Sequence, residues 1–525
     1  MRSTFSGMNM ALLGMNASQR ALDVTGQNLT NINTSGYTRQ RLDLASISPT
    51  GADYFNTRYN VKVGQGVLMT GVSQIRDPFL DIQFRNQLSR VGSVDAKNQV
   101  LTGIGDVFDN VDVTTVQNAL DDVVKQMQTL STKVGQDGND NLVRSSFEVL
   151  LSYIHQNATD LAKVRTELES KMETTVIPDI NKILTSIQQL NESIKSSQVL
   201  GSPALELKDT RNQLIDDLAT YLPIDVVYGE ETVGGSFKVE TMSIKLKDGF
   251  GSPAEDAYLI QDDQVGSLEY SIDPVTGESK IDLEYLDSAG TVKNDTDAAD
   301  KFTEGILKGN LDMLNKEGIF DGTDVKGIGY YQKMFDSFVN TLATKMNEMN
   351  TFPDGLGGNL YNGGPLFDSE PSGTTITAAN IKISDGWMDG SIRLVAEETD
   401  APENTSAKNL LKMINLLSTD TIEFMGTNSS GFPIQVFKGT MPGAYANIQA
   451  EQGIEKKSTE SILDNRVTVL ANTADARDSV TGVNLDEEVM NLMRYQQSYS
   501  AAARLMTVMD EALDKLINNT GVVGR

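Results

Sequence analysis

Apolar residues recur at alternating steps of three and four near both ends of the chain, and this heptad pattern predicts two long amphipathic helices. The N-terminal series consists of Phe5, Met8, Leu12, Met15, Gln19, Leu22, Gly26 and Leu29. The C-terminal series consists of Leu485, Val489, Leu492, Gln496, Tyr499, Ala503, Met506, Asp510, Leu513 and Ile517. A second apolar series, from Ala502 to Leu516, runs beside the latter, so we expect the C-terminal helix to contact more than one neighbour.

Polar residues and glycine interrupt both series, at Gln19 and Gly26 and at Gln496 and Asp510. Two helices with these gaps bury little apolar surface against each other alone, and an isolated pair would be marginal in water. An ordinary intramolecular core explains either series taken singly, whereas packing among many copies explains the gaps as well. The predicted polymerisation interface is Phe5, Met8, Leu12, Met15, Leu22, Leu29, Leu485, Val489, Leu492, Tyr499, Met506, Leu513 and Ile517.

The chain between these ends changes character several times. Helical periodicity dominates 93–222, with expected interruptions at Pro178 and at 201–203, and short strand-like runs with turn signals follow from 223 to about 300. Helical periodicity returns at 334–346, and a Gly/Pro-rich stretch then leads into mixed α+β patterns. Four predicted domains follow: an inner coiled-coil domain (1–65 with 478–525), a helical bundle (66–222 with 306–350 and 451–477), an inserted β domain (223–305) and an outer α+β region (351–450). The fold class is therefore mainly α, with inserted β and α+β domains.

A local signal also predicts where the C-terminal helix begins. Asn484 precedes the apolar series, and Glu487 follows it by three residues, as in a capping box.

Charge and composition narrow the possible functions. The 525 residues carry a net charge of −28, which argues against nucleic acid as a partner. No apolar run approaches the ~20 residues of a membrane span, so we expect no membrane insertion. Cysteine is absent and no cleavable signal is visible, which by themselves favour the cytoplasm.

Catalytic and metal-binding patterns are weak. His155 is the single histidine, so zinc sites and Ser-His-Asp triads are unsupported, and we expect neither an enzyme nor a cofactor. Asp137, Asn139, Asn141 and Glu148 fit positions of a calcium loop, but Leu142 stands where the turn needs glycine. A polar helix start is therefore favoured over a calcium site.

Several stretches resemble a known family. Residues 28–37, NLTNINTSGY, are similar to the signature shared by rod, hook and hook-associated proteins of the bacterial flagellum. The continuation Thr38-Arg39-Gln40 narrows the resemblance to hook-associated proteins of the FlgK type, and 76–80, 206–215 and 483–499 look like later segments of that family. The motif residues are Asn28, Asn31, Asn33, Thr34, Gly36 and Tyr37. From the residues alone, this run reads as a helix end followed by a turn.

The resemblance implies a structural subunit at the hook–filament junction that is required for filament assembly and polymerises through its terminal helices. It implies as partners copies of the chain itself, the hook protein, a second junction protein, and an export chaperone that covers the C-terminal helix. It also replaces the cytoplasmic expectation with an extracellular flagellar location, reached through the flagellar type III export apparatus. Another axial protein, such as a hook protein or flagellin, and an adhesive or glycan-binding role for 351–450 stay open as alternatives.

Overall fold

The computed structural model describes residues 5–47, 66–133, 137–234, 237–247, 256–351, 363–396 and 407–519. Its helices are α1 (Ser6–Thr30), α2 (Pro78–Asn110), α3 (Val113–Thr132), α4 (Asp137–Lys171), α5 (Ile177–Val199), α6 (Leu205–Tyr221), α7 (Gly305–Asn315), α8 (Ile328–Asn350), α9 (Asp385–Asp389), α10 (Lys408–Ser418), α11 (Met441–Thr481) and α12 (Leu485–Asn519). Its strands are β1 (Gln40–Ser46), β2 (Val67–Gln74), β3 (Ile224–Val233), β4 (Phe237–Leu246), β5 (Tyr258–Gln261), β6 (Gln264–Val265), β7 (Ser267–Ile272), β8 (Ser279–Leu286), β9 (Val292–Asp295), β10 (Phe367–Ser369), β11 (Ile381–Ile383), β12 (Ile422–Thr427) and β13 (Pro433–Gly439).

Polar side chains cap the N-terminal ends of several long helices, where the first N–H groups have no partner within the helix. Asp77 accepts from the backbone N–H of Phe79 at the start of α2, and Asp112 accepts from that of Thr115 at the start of α3. Thr440 does the same for α11. Each cap satisfies a donor that the helix itself cannot, and it fixes the residue at which the helix begins.

The expected interruption at Pro178 takes a different form in the structure. The helical path continues from α4 into α5 through one π-helical turn, Met172–Val176, and Pro178 lies in the first turn of α5. Proline lacks an N–H and crowds the carbonyl four residues earlier, and a widened turn relieves this misfit without ending the helix. The break predicted at 201–203 is confirmed, because α5 ends at Val199 and Gly201 has a φ of +86°.

An aromatic cluster forms the centre of the helical region. Phe335 and Phe338 of α8 lie 6.1 Å from Tyr445 of α11, between ring centroids, and Phe108 of α2 lies 6.4 Å from the same tyrosine. The Tyr445 hydroxyl donates to the Val111 carbonyl at 2.6 Å, so the buried phenol has a partner. Helices α2, α8 and α11 are therefore joined by one continuous core.

The strand-like pattern after residue 223 is confirmed as an antiparallel sheet with the order β3-β4-β5-β8-β7, in which β6 pairs with β5 and β9 pairs with β8. In β8, Ile281 and Leu283 are buried and alternate with more exposed residues, as in a sheet covered on one face. Helix α5 covers that face, and Asn181 exchanges two hydrogen bonds with the backbone of Leu268. The domain boundaries themselves stay a prediction.

Three two-stranded antiparallel sheets, β1–β2, β10–β11 and β12–β13, complete the sheets of the described residues. Among the helices in these same ranges, none is both long and apolar enough to cross a membrane.

Candidate functional site

Helices α1 and α12 lie side by side in antiparallel directions. A Cβ atom added at Gly7 would meet Met509, and one added at Gly14 would lie 3.9 Å from Ala502. Asn28 is hydrogen-bonded to Glu488. From Gly7 to Gly14 and on to Asn28, the position on α1 rises by 7 and then by 14 residues. The partner positions on α12 fall by the same numbers, from Met509 to Ala502 and then to Glu488. The two helices are therefore aligned in steps of whole heptads.

Small residues form the buried stripe on α1. The stripe, which we call the small-residue seam, consists of Gly7, Ala11, Gly14, Ser18, Ala21, Thr25 and Asn28. Ala11, Ala21 and Thr25 are at most 3% exposed. The facing side of α12 supplies half-buried residues at heptad spacing, most of them larger: Leu492, Tyr495, Tyr499, Met506, Met509 and Leu513, with Ala502 among them.

The large-residue series predicted on α1 is therefore not the stripe that meets α12. Phe5 is 54% exposed and Leu12 is 43% exposed, while Met8, Met15, Leu22 and Leu29 are half-buried. Small side chains allow two helix backbones to approach closely, so packing favours the small-residue seam over the larger stripe. The contact has the predicted heptad period, but it is made by the small residues that lie beside the large ones. The role of the large residues between copies stays a prediction.

Helix α12 also keeps large apolar residues at its surface. Of the predicted interface, Leu485 is 52%, Val489 is 39% and Ile517 is 70% exposed. Met490, Met493, Leu505 and Val508 do not belong to the predicted interface, and they are exposed as well. We call Phe5 and Leu12 of α1, together with these exposed residues of α12, the outer apolar face.

The family motif closes α1 and turns the chain toward β1. Asn31 donates from its amide to the Gln27 carbonyl, and the backbone N–H of Thr34 donates to the Asn31 carbonyl at 2.9 Å. Gly36 has a φ of +77°, a conformation that favours glycine, and Tyr37 donates from its N–H to the Thr34 carbonyl. Asn33 lies exposed at the tip. The predicted helix end and turn are thus confirmed.

Both polar atoms of the Asn28 side-chain amide are hydrogen-bonded. Its Nδ2 group donates to the Gln40 carbonyl at 2.9 Å and to Glu488 at 3.3 Å, and its Oδ1 atom accepts from the Gln40 N–H and from the Tyr37 hydroxyl, both at 2.9 Å. A carboxylate could not donate these bonds, and an apolar side chain would leave several buried groups unpaired. The first motif position therefore requires asparagine on physical grounds.

Glu488 is a buried charge at the centre of this contact. Its side chain is 2% exposed, Arg39 donates from Nε to Oε1 at 2.9 Å, and a terminal nitrogen of the same guanidinium lies 2.8 Å from Oε1. Asn484 caps α12 as predicted, accepting from the N–H groups of Asp486 and Glu487. The carboxylate of Glu487 does not complete a capping box but pairs with Arg39 at 2.7 Å.

The same chain segment is tied to α6. Asp209 accepts from the Thr38 N–H at 3.2 Å and from Gln74 at 2.8 Å. Burial raises the pKa of Asp209 above its ordinary value, although the Thr38 hydrogen bonds oppose the shift. Burial, reinforced by Asp209, also raises the pKa of Tyr37 far above its usual range, so Tyr37 stays a neutral donor.

A second charge cluster connects α11 to α2 and α6. Asp216 accepts from Arg85 at 2.8 Å and from Arg477 at 2.7 Å. The Arg477 guanidinium also lies 3.7 Å from the centre of the Phe84 ring. Sequence reasoning found the stretches that hold Arg39, Asp209 and Glu488 but could not pair them, because hundreds of residues separate the partners.

The weak chemical candidates have ordinary partners where the structure describes them. His155 is bonded to the Ile381 carbonyl at 2.8 Å, and Glu148 lies 4.0 Å from Arg144. The side chains of Asp137 and Asn139 lie outside the described part. Across the described ranges, no three acidic or histidine side chains converge on a common metal position.

Comparison with known proteins identifies matching families over most of these elements. Residues 101–367 match the family model "Flagellar hook-associated protein FlgK helical domain". Residues 8–38 match "Flagella basal body rod protein", and 478–519 match "Flagellar basal body rod FlgEFG protein C-terminal". The two rod-protein matches coincide with α1 and its motif and with α12.

Two relatives that align with this chain over nearly their whole length have the same name. The chain is 29% identical to "Flagellar hook-associated protein 1" of Bacillus subtilis, over 100% of both chains. It is 22% identical to the protein of that name from Salmonella typhimurium, over 97% of this chain and 99% of the relative. The flagellar hook junction protein FlgK from Burkholderia pseudomallei superimposes with a TM-score of 0.41 at 17% identity, covering 55% of this chain and 46% of that one. Because the helical-domain match spans just over half of its residues, this chain belongs to the FlgK family of flagellar hook-associated proteins.

Proposed function

We propose that this chain is a structural subunit of the junction between the flagellar hook and the filament, and that filament assembly requires it. Its terminal helices pair as an antiparallel coiled coil, and neighbouring copies cover the outer apolar face. The observation that carries this proposal is the division of α1 into two stripes. The small-residue seam is used within the chain, while the large apolar residues lie partly exposed.

The surface of α1 supports contacts with other copies. Arg20 and Asp23 are the only charged residues in this 25-residue helix, and they pair with each other at 3.8 Å. A solvent-facing helix normally presents charged residues opposite its apolar stripe. Fully burying one Leu or Met side chain stabilises a contact by roughly 1.5–3 kcal/mol, so covering the outer apolar face in every subunit gives a large driving force.

The assembly we propose has the predicted organisation. The helix pair, 1–65 with 478–525, forms the inner domain, the helical bundle surrounds it, and 223–305 and 351–450 lie outside. Its partners are further copies of the chain, the hook protein on one side and a second junction protein on the other. The names of the full-length relatives and the rod-protein matches at both ends support this choice.

Export completes the proposed function. We place the protein outside the cell, in the flagellum, reached through the flagellar type III apparatus, with a cytoplasmic chaperone on α12 beforehand. The exposed apolar residues of α12, such as Met490 and Val508, are the surface that a chaperone would cover.

Replacing Leu12 with Asp tests the proposal. Leu12 is preferable to Met506, because Met506 faces α1 and its replacement would also disturb the pair within the chain. A charge at Leu12 would be buried without a partner at each contact between copies. Cells with Leu12→Asp should carry hooks without filaments and release flagellin into the medium, as seen by electron microscopy and immunoblotting.

Val275→Asp is the matched control, because Val275 is 91% exposed and lies in the turn between β7 and β8. This variant should assemble filaments normally. Normal swimming of the Leu12→Asp strain would show that no neighbour covers this face.

A further inference from the structure

A cleft of about 390 Å³ lies beside the helix pair, where the N-terminal end of α2, strand β2, helix α6 and the β3–β4 hairpin meet. None of the contacts described above fills it. The charged residues of its lining are Arg76, Arg85, Lys208, Arg211, Asp81 and Glu240.

The lining is positively charged in a strongly acidic protein. Of its four cations, Arg76 pairs with Asp81 at 3.0 Å and Arg85 pairs with Asp216 at 2.8 Å, so the excess positive charge lies on Lys208 and Arg211. Glu240 alone serves two of the cations, since Lys208 lies 2.6 Å from Oε2 and Arg211 lies 2.6 Å from Oε1. Lys208 and Arg211 together therefore keep one positive charge more than their shared carboxylate neutralises.

Arg211 also has an unused donor. Its side chain is 2% exposed, and its terminal nitrogens donate to Asn191 and Glu240. Within the described ranges its Nε atom, itself buried, has no hydrogen-bond partner. A buried guanidinium with an unpaired N–H is costly, and a further acceptor would lower that cost.

The uncharged part of the cleft's lining is about half apolar, since Val72, Pro78, Ile82, Pro203, Leu205 and Val226 lie beside Ser73, Gln74, Gln198, Asn212 and Tyr228. Pro78, Pro203 and Leu205 contribute to its walls, and Ile82 of the lining is 47% exposed. Phe79, one turn before Ile82 on α2, is 63% exposed. Apolar walls around cationic groups fit an acidic side chain flanked by apolar residues better than they fit a freely hydrated small anion.

We infer that this cleft receives an aspartate or glutamate side chain from a second copy of the chain, and that it forms a contact between subunits separate from the terminal helices. We choose a second copy as the occupant because its charge complements that of the cleft. A chain with 72 acidic and 44 basic residues offers many carboxylates to a positively charged cleft. The inference rests on the proposed function, since it requires an assembled state.

A pair of substitutions at Ile82 tests the charge. Ile82→Glu puts a negative charge at the mouth of the cleft and should repel the incoming carboxylate, whereas Ile82→Lys adds an attractive charge of similar length. Both purified variants should melt at the wild-type temperature, because Ile82 is half exposed. Filaments should be lost with Ile82→Glu and kept with Ile82→Lys. Filaments in both strains, or in neither, would overturn the inference.

Comparison with Leu12→Asp separates this inference from the proposed function. Filament loss in Leu12→Asp with normal filaments in Ile82→Glu would refute the cleft contact alone. A photo-crosslinking amino acid at Phe79 then identifies the occupant in assembled flagella. A product of twice the chain mass that contains an acidic peptide of this chain is expected. A product with a different protein, or none, would overturn the assignment to a second copy.

Discussion

The helix pair α1–α12 and the aromatic core of α2, α8 and α11 use opposite kinds of packing. In the core, Phe335, Phe338 and Tyr445 are each at most 1% exposed, and their rings meet one another directly. In the pair, the seam on α1 is made of small residues, and large residues such as Phe5 and Val508 face outward. The aromatic core buries its large side chains within a single chain, whereas the helix pair leaves large apolar side chains exposed.

The difference shows where stability and assembly are separated in this molecule. The core can hold the helical region together without help from another copy, because almost no large side chain there is left in contact with water. The pair is fixed by a buried polar network instead, centred on Asn28, Arg39 and Glu488, which defines its register but buries little apolar area. Changes in the two regions should therefore have different consequences.

Phe338→Ala should give the largest effect on folding. Phe338 stacks on Phe335 at 6.2 Å and on Phe424 at 6.4 Å, so truncation leaves a cavity in a filled core. We expect a loss of about 3–5 kcal/mol in the free energy of unfolding of the monomer, measured by denaturant titration. The matched change Leu12→Ala, in the outer apolar face, should alter the same quantity by only about 0.5 kcal/mol. Equal losses would contradict the distinction between the two regions.

Glu488→Gln should have an intermediate and local effect. The substitution removes the charge that Arg39 faces in a site with 2% exposure, and it leaves Arg39 with only the more exposed Glu487. We expect α12 to open more easily by about 1–3 kcal/mol, seen as faster amide hydrogen exchange in 485–500, with exchange in α8 unchanged.

Glu487→Gln is the control for that change, since Glu487 is 52% exposed and its pair with Arg39 contributes roughly 0–1 kcal/mol. Faster exchange in α8 as well would mean that the pair and the core unfold together.

Gly14→Ala should give the smallest effect, and in the stabilising direction. A Cβ atom at this position would lie 3.9 Å from the Cβ of Ala502, which is an ordinary contact, and alanine favours a helix over glycine by roughly 0.5–1 kcal/mol. Hydrogen exchange in α1 should slow accordingly. The same substitution at Gly7 would press on Met509 and should gain less. A destabilised Gly14→Ala would show that the helices are closer than the structure has them.

The sequence was sufficient for the elements that depend on local pattern. Periodicity placed α1, α8 and α12, turn signals placed the strands after residue 223, and Asn484 marked the start of α12. These predictions succeed because capping and amphipathicity act over a few residues. Pro178 is an exception. Proline was expected to interrupt the helix, but the π-helical turn before it preserves the helical path.

The sequence was insufficient where partners are distant. A heptad pattern shows that a helix has an apolar stripe but not which side of the helix a given neighbour covers, and the small-residue seam that meets α12 was not predicted. The pairing of Asn28 with Glu488 joins residues 460 positions apart, and no single sequence contains that information in local form. Asp216, which holds both Arg85 and Arg477, was overlooked for the same reason.

The pairing of α1 with α12 also determines when during protein synthesis their contact can form. Gly7 meets Met509, so α1 leaves the ribosome about 500 residues before the helix with which it pairs. Closing a loop of this length is slow compared with forming a single helix, and contacts of such high separation form late in folding. While the residues between them are being made, therefore, α12 cannot yet cover the small-residue seam of α1, and the two helices pair only after those residues exist.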